Sequence, residues 1–310
     1  MEKISVIMPC YNASARLARS VGSVLAQSHD NLELIAVDDG STDSTPGILR
    51  AVKDSRVVII TQPNRGVCAA RNRGLREATG RYIAFLDSDD SWDNSCLEKL
   101  CSALEQDAGA VLSYCGWQNV GLPGGQGRPY VPPDYDKTDK AREMLSSCPW
   151  PIHAALTRRD AIEAAGGFDE RFTNAEDYGL WLKVALSGRL KLVPEVLAFY
   201  HFHSGAQATG NRARAARENW LVQREFLEAR PDVAGRLGRA LVRKLTDGEM
   251  LKRGYVCYWD GDLESAREIF RAVMKNGYGS LRDWKYMLPS ILPLNVHRLM
   301  LRKIGKRDIA

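Results

Sequence analysis

Phe85-Leu86-Asp87-Ser88-Asp89-Asp90-Ser91-Trp92 reads as a buried strand running into a cluster of three carboxylates. Residues 82–86, Tyr-Ile-Ala-Phe-Leu, are apolar and rich in aromatic and β-branched types, as a central parallel strand requires. Gly80 punctuates the strand's start. At its carboxyl end Asp87, Asp89 and Asp90 crowd into four positions. Like charges that close repel, so the cluster must be solvated, protonated or neutralised by a cation. Oxygen ligands on a short turn suit Mg²⁺ or Mn²⁺, which are commonly shared with substrate phosphates. In open parallel sheets, ligands bind outside the carboxyl ends of the strands. The same Asp and Ser residues also serve as helix caps ahead of Leu97-Glu98-Lys99-Leu100. Taken alone, the stretch leaves a metal–diphosphate site and a capped acidic turn both open.

The residues upstream repeat the pattern. Residues 4–9 form a strand that Pro9 is expected to end, since proline has no N–H to donate. Leu17, Val21, Val24 and Leu25 recur at helical spacing. Residues 32–37 are a second strand, closed by Asp38-Asp39-Gly40-Ser41-Thr42-Asp43, which caps a helix over 44–53 with Pro46 in its first turn. A third strand at 57–60, the turn Asn64-Arg65-Gly66 and a helix over 67–78 lead back to the acidic stretch. This alternation predicts a doubly wound, mostly parallel α/β sheet with a Rossmann-like nucleotide-binding half. No Gly-x-Gly-x-x-Gly and no Gly-Lys-Ser/Thr follows the first strand, which argues against a dinucleotide fold and a P-loop NTPase. Further on, the pattern predicts a helix to about 106, a strand at 110–115 and a mobile Gly/Pro-rich loop at 121–135. A helix over 137–145, a short strand within 149–157, helices over 160–165 and 176–186 and a last strand over 190–199 complete it.

Composition sets broad limits. The 310 residues, 45% hydrophobic and 26% charged, suit one large α/β domain with a smaller appendage. A net charge of +5 makes no demand for nucleic acid. Seven scattered cysteines without a Cys-x-x-Cys pair fit a reduced, cytoplasmic compartment rather than a thiolate metal site. The chain enters a strand almost at once, so no secretory leader is expected. No window approaches the ~18 apolar residues of a membrane-spanning helix.

Seven short motifs then stand in one order: Pro9-Cys10-Tyr11-Asn12; Asp38 to Asp43; Asn64-Arg65-Gly66 with Ala70-Arg71-Asn72-x-Gly74; Asp87-Ser88-Asp89-Asp90; Gly166-Gly167-Phe168-Asp169; Glu176-Asp177-Tyr178-x-Leu180-Trp181-Leu182; and Tyr200-x-x-His203. Over residues 1–205 the chain resembles family 2 glycosyltransferases of the GT-A fold. That resemblance implies inverting, metal-dependent sugar transfer from a nucleoside-diphosphate sugar, UDP-linked first of all, to a hydroxyl of a glycan or lipid-linked glycan in surface-polysaccharide synthesis. By position it implies Pro9, Tyr11, Asp39, Arg71, Asp87 and Ser88 in donor binding. Tyr11 would stack on the base, Asp39 would accept a base N–H and Asp87 would hold the ribose. It further implies Asp89 and His203 on Mn²⁺ or Mg²⁺, and Asp177 as catalytic base with Glu176 beside it. His201 stands where the family often carries arginine, which removes a phosphate contact.

The carboxylates suit this chemistry independently, because inverting transfer needs one base and a cation at the leaving diphosphate but no protein nucleophile. Glu176 and Asp177 at a helix start are also good dipole partners. Asp38 and Asp43 read as turn and cap residues, His153 as a buried histidine or an acceptor contact, and Trp150 and Trp181 as core. Two other readings remain: a nucleotidyltransferase, which should carry a basic Gly-rich loop after the first strand, and a non-catalytic sugar-nucleotide-binding scaffold. Residues 206–310 form a helical, arginine-rich appendage, and 261–270 resemble half of a tetratricopeptide-type helix pair. Residues 284–307 mix aromatic, aliphatic and basic types in a way that suits an anionic membrane surface at the inner face. A homo-oligomer is compatible with the sequence.

Overall fold

β1 (Ile4–Cys10) and β2 (Leu32–Asp38) are buried along their whole length, which accounts for their unbroken apolar runs. The computed structural model describes residues 2–122, 125–203 and 211–304, with side chains as far as Leu299. β1 lies parallel between β2 and β4 (Tyr82–Phe85), and β2 pairs in parallel with β3 (Val57–Thr61). The crossovers are α1 (Leu17–Leu25), α2 (Thr45–Ala51) and α3 (Val67–Glu77). Gly74 of α3 lies so close to β1 that a Cβ there would meet Ile7 Cγ2 at 2.5 Å.

Beyond β4 the sheet becomes mixed, within the mostly parallel α/β architecture expected. β7 (Ala155–Arg158) runs antiparallel to β4 and to β6 (Ala110–Val120), while β8 (Arg189–His201) runs parallel to β6. The two-residue β5 (Ser91–Trp92), directly after the acidic turn, closes the edge antiparallel to β8. The order is β3-β2-β1-β4-β7-β6-β8-β5. The helices of this half are α4 (Cys96–Glu105), α5 (Lys140–Ser146), α6 (Arg159–Ala165) and α7 (Glu176–Ala185).

Four local expectations change. Pro9 does not end its strand, since it pairs opposite Val37 and Cys10 follows opposite Asp38. The carbonyl of Ile7 accepts from Leu86 N on the β4 side, so Pro9, two residues on, faces that side too, past the last residue of β4. Its missing N–H therefore costs no ladder bond. β6 continues to Val120 and pairs with β8 as far as His201, with irregular register at Cys115 and Gly116. The stretch expected as a mobile loop is tied down in part, because Trp117 and Tyr130 exchange both backbone hydrogen bonds at 2.9 Å. Of the expected strand within 149–157, only 155–157 is extended, preceded by a 3₁₀ turn over Ile152–Ala154.

Contacts divide the chain into Met1–Gly205 and Ala206–Ala310. The second unit is helical: α8 (Arg212–Ala229), α9 (Pro231–Leu237), α10 (Arg239–Arg243), α11 (Glu249–Trp259), α12 (Leu263–Lys275), α13 (Leu281–Met287) and α14 (Leu294–Ile304). Its core joins Ala213 and Ala216 of α8 to Met250, Leu251 and Cys257 of α11 and Ile269, Phe270 and Val273 of α12. Gly254 allows α11 to approach the Phe270 ring, where a Cβ would meet Cε1 at 2.8 Å. Lys306 and Arg307 of the basic stretch lie outside the described residues. No described helix is long and apolar enough to cross a membrane.

Candidate active site

The carboxyl ends of β1, β2 and β4 place their polar residues along one edge. After β1, Tyr11 is 52% exposed and Asn12 turns the chain with φ 48°, a left-handed conformation that asparagine tolerates. Asn12 Oδ1 accepts from Thr42 N, tying this turn to the one after β2. In that second turn Asp38 Oδ1 accepts from Ser41 N. Asp43 accepts from Ser14 N and Thr45 N, the turn and cap work expected of these residues. Asp39, expected at a base, is buried and fastens the neighbouring loop: Oδ1 accepts from Gln62 Nε2 and Arg65 N, and Oδ2 from Gly66 N. Pro9 lies within β1 just before this edge.

Arg71 is the hub. α3 carries it into the interior, where its guanidinium donates to Asp87 Oδ1 at 2.8 Å and Glu176 Oε1 at 3.2 Å. The Phe168 ring lies 5.3 Å from the guanidinium carbon. Burial works against the positive charge, but Asp87 and Glu176 more than offset it and hold the pKa above its ordinary value. Next to Glu176, Asp177 opens α7 with its Oδ1 on Tyr178 N at 2.6 Å. A helix start should favour a carboxylate. Here burial, then the Glu176 charge, push Asp177 up to about 7 despite Arg71. Cys148 Sγ stands 3.9 Å from Asp177 Oδ2. Arg71 Nε and Glu176 Oε2 are buried without a hydrogen-bond partner in the protein.

The acidic turn forms the other wall. Asp89 Oδ2 meets His203 Nε2 at 2.9 Å, and the Asp89 carboxyl is raised by burial, then by Asp90 and Asp87. Ser88 is partly buried between them. Asp90 is inaccessible. Its Oδ1 accepts from His201 N at 2.9 Å, and its Oδ2 lies 3.1 Å from His153 Nδ1, off the hydrogen-bonding line. Burial lowers the pKa of His153, but Asp90 outweighs it and the net shift is upward. His201 reaches Ser91 Oγ at 2.8 Å and is lowered by burial, Arg19 and His153.

The sequence singled out Asp87, Asp89, Arg71, Glu176, Asp177 and His203, and the structure groups them on the two walls just described. It did not single out Arg19. This exposed residue of α1 donates to the Asp89 carbonyl at 2.6 Å, so a cation stands at the acidic turn although His201 replaces the arginine nearby. Nor did it assign Asp90, which orients β8 and His153. A lone arginine on an amphipathic helix carries no signal of either role. Trp92, Trp150 and Trp181 are buried, and Trp92 Nε1 donates to the His153 carbonyl.

A divalent cation is consistent with this donor set. Asp89 and His203 converge, and the surrounding carboxylates raise the cost of leaving the turn without a counter-charge. Among the described residues no group of three or more such side chains comes together.

Comparison with known proteins identifies the family. Residues 5–166 match the family model described as Glycosyl transferase family 2. A glycosyltransferase assigned to teichuronic acid biosynthesis in Bacillus subtilis, TuaG, is 32% identical over 230 residues, covering 72% of this chain and 88% of its own. The Escherichia coli UDP-Glc:alpha-D-GlcNAc-diphosphoundecaprenol beta-1,3-glucosyltransferase WfaP is 29% identical over 234 residues, 72% of this chain and 86% of that one. Among solved structures, residues 1–349 of S. aureus TarS with UDP-GlcNAc superimpose with a TM-score of 0.68 at 20% identity, covering 87% of this chain and 79% of that one. The mannosyltransferase PcManGT of Pyrobaculum calidifontis, with GDP-Man and Mn²⁺, gives 0.60 at 22% identity over 93% and 79%. These structural likenesses speak for the fold.

Proposed function

The chain belongs to glycosyl transferase family 2, and we propose that within it the protein transfers one sugar, with inversion, from a nucleoside-diphosphate donor to a hydroxyl of a glycan or lipid-linked glycan. The observation that carries this reading is Asp177, a carboxyl pushed up to about 7 beside the Arg71–Asp87–Glu176 cluster. A general base works best with a pKa near the operating pH. In the transfer, the acceptor oxygen attacks the anomeric carbon from the side opposite the diphosphate. Its proton passes to the Asp177 carboxylate, and the electron pair of the breaking C–O bond leaves with the diphosphate. Glu176, held by Arg71, keeps Asp177 basic enough for this task.

We assign Pro9, Tyr11, Asp39, Asp87 and Ser88, along one sheet edge, and Arg71 of α3, bonded to Asp87, to the donor side. Asp89 and His203 would hold Mn²⁺ or Mg²⁺. Bound there, the cation would carry charge that develops on the leaving diphosphate. Uridine is the base we favour, since WfaP is named for UDP-Glc and the TarS crystals hold UDP-GlcNAc. We place catalysis in residues 1–205. To residues 206–310 we give a peripheral role at an anionic membrane surface, supported by exposed Trp259, Leu281 and Ile291 among basic residues. A lipid-linked acceptor, such as the GlcNAc-diphosphoundecaprenol in WfaP's name, would meet such an enzyme at the inner membrane face.

Calorimetric titration with UDP, GDP, CDP and dTDP, with and without Mn²⁺, tests the donor side. One nucleotide should bind in a metal-dependent way, and Asp89→Ala should lose that dependence. If the parent binds no nucleotide under any metal condition, the reading falls.

A further inference from the structure

The arm that folds back along β6 brings two aromatic side chains to the surface, and nothing so far gives them work. Trp117 and Tyr130 sit opposite one another, fixed by paired backbone hydrogen bonds of 2.9 Å, with ring centroids 4.7 Å apart at 61°. Tyr130 is 48% exposed. The close approach depends on Gly116, where a Cβ would lie 2.7 Å from the Tyr130 carbonyl oxygen.

Strand register places Trp117 on the sheet face that carries Trp92 and Tyr200. Trp117 is level with Ala198 of β8, and Ala198 is level with Trp92 of β5, so all three project to the same side. Tyr200, two residues beyond Ala198, shares that side, and its ring stacks at 6.1 Å over His153, the neighbour of Asp90. Trp117 therefore stands two strand spacings, roughly 10 Å, from the strand that leaves the acidic turn. On its other flank the arm approaches the base. The Tyr135 hydroxyl donates to the carbonyl of Pro149, the residue after Cys148. Cys148 in turn stands beside Asp177. The half-buried Trp117 and exposed Tyr130 thus lie on the sheet face of Tyr200 and His153, on an arm that continues to the segment beside Asp177.

We propose that Trp117 and Tyr130 form the platform on which the acceptor's sugar ring stacks, setting which glycan is presented to Asp177. The apolar C–H face of a pyranose fits the electron-rich face of an aromatic ring. A pocket that takes sugars joins such apolar surface to a few polar groups that fix orientation. Gln118 Nε2 and the Gly127 carbonyl, bonded at 2.9 Å next to the rings, hold the arm in shape. The platform rests on the glycosyltransferase reading and gives it an acceptor subsite.

The test uses the full chain and a water-soluble probe, an α-N-acetylglucosaminyl diphosphate carrying a short alkyl chain. Its binding is measured by saturation-transfer NMR and titration in the presence of UDP and Mn²⁺, for the parent, Tyr130→Ala, Tyr130→Phe and Trp117→Ala. Tyr130→Ala is expected to weaken the probe about tenfold or more, while Tyr130→Phe, which keeps the ring, stays within about twofold. UDP affinity should be equal in all four. Probe affinity unchanged in Tyr130→Ala, or a parent that binds UDP but not the probe, overturns the platform. A parent that binds no nucleotide condemns the donor reading instead, so the two failures are distinct.

Discussion

Asp177 is where the chemistry of the site can be read as a titration. Burial and the Glu176 charge raise its carboxyl to about 7, while Arg71 pulls the other way. A base must be ionised to accept a proton, so kcat/KM is expected to climb about tenfold per pH unit below 7 and level off above it. Asp177→Asn should cost about 10²–10⁴-fold in transfer with nucleotide affinity kept. A pH–rate profile with no rise between pH 5 and 8 would contradict the assignment. The same shift has a signed consequence for stability. The folded pKa lies above that of an unfolded carboxyl, so the native state holds its proton longer and parent stability falls as pH rises from about 4 through 7. Asp177→Asn removes that cost. Its melting temperature should exceed the parent's at pH 8, and the gap should close at pH 4, as differential scanning fluorimetry can measure. These carboxylates were legible in the sequence because each ends an apolar run or opens a helix. Arg19, Asp90 and the Trp117/Tyr130 pair were not, because their partners lie far away in sequence and only strand register brings them close.

At the scale of elements, local composition told where strands lie but not always which way they run. The parallel run β3-β2-β1-β4 follows from apolar strands alternating with helices, a pattern visible in sequence. Antiparallel β7 was hidden, since a four-residue strand after a 3₁₀ turn reads the same in either direction. The two residues of β5 are too few for any period to register. Arg158 illustrates a related miss. Its Nε donates to the Ala110 carbonyl and one terminal nitrogen to the Leu104 carbonyl, joining the end of α4 to the start of β6, a role that no local pattern signals. Gly80 was legible as a strand start, and the structure gives the steric reason. A Cβ there would stand 2.5 Å from Ser5 N and 2.8 Å from the Lys3 carbonyl oxygen, both backbone atoms that cannot swing aside. Gly80 N also donates to the buried Ser5 hydroxyl, which bonds Glu33 of β2. Gly80→Ala is therefore expected to push β4 from β1 and destabilise the fold by about 1–3 kcal/mol. Gly22→Ala, inside α1 where nothing lies within 4 Å, should instead stabilise by about 0.5–1 kcal/mol, and thermal melting of the pair distinguishes crowding from a general effect of losing glycine.

For the whole molecule the open matter is how an enzyme without a described spanning helix would reach a lipid-linked acceptor. In the second unit the exposed large apolar side chains gather between Val256 and Leu299. Leu281 is 93% exposed, Trp259 67% and Ile291 62%, with Leu288, Val296 and Leu299 beside them in sequence. Trp259 lies 6.0 Å from Tyr286 ring to ring, a pair of amphipathic rings of the kind that settles at headgroup depth. Soluble surfaces seldom gather so much apolar area without a partner. The last 29 residues carry Arg282, Lys285, Arg298, Arg302, Lys303, Lys306 and Arg307 against Asp283 and Asp308. That excess of positive charge suits anionic lipid, each basic residue near the surface contributing about 1 kcal/mol. The protein should therefore sediment with vesicles containing phosphatidylglycerol and remain free with pure phosphatidylcholine, and binding should weaken as salt rises. Leu281→Ser with Ile291→Ser should reduce sedimentation at constant melting temperature, because neither side chain is packed. If instead the parent ignores anionic vesicles, and light scattering finds a dimer that the double substitution dissociates, the apolar face belongs to a second copy of the chain. Access to a lipid carrier would then have to come from elsewhere in the molecule.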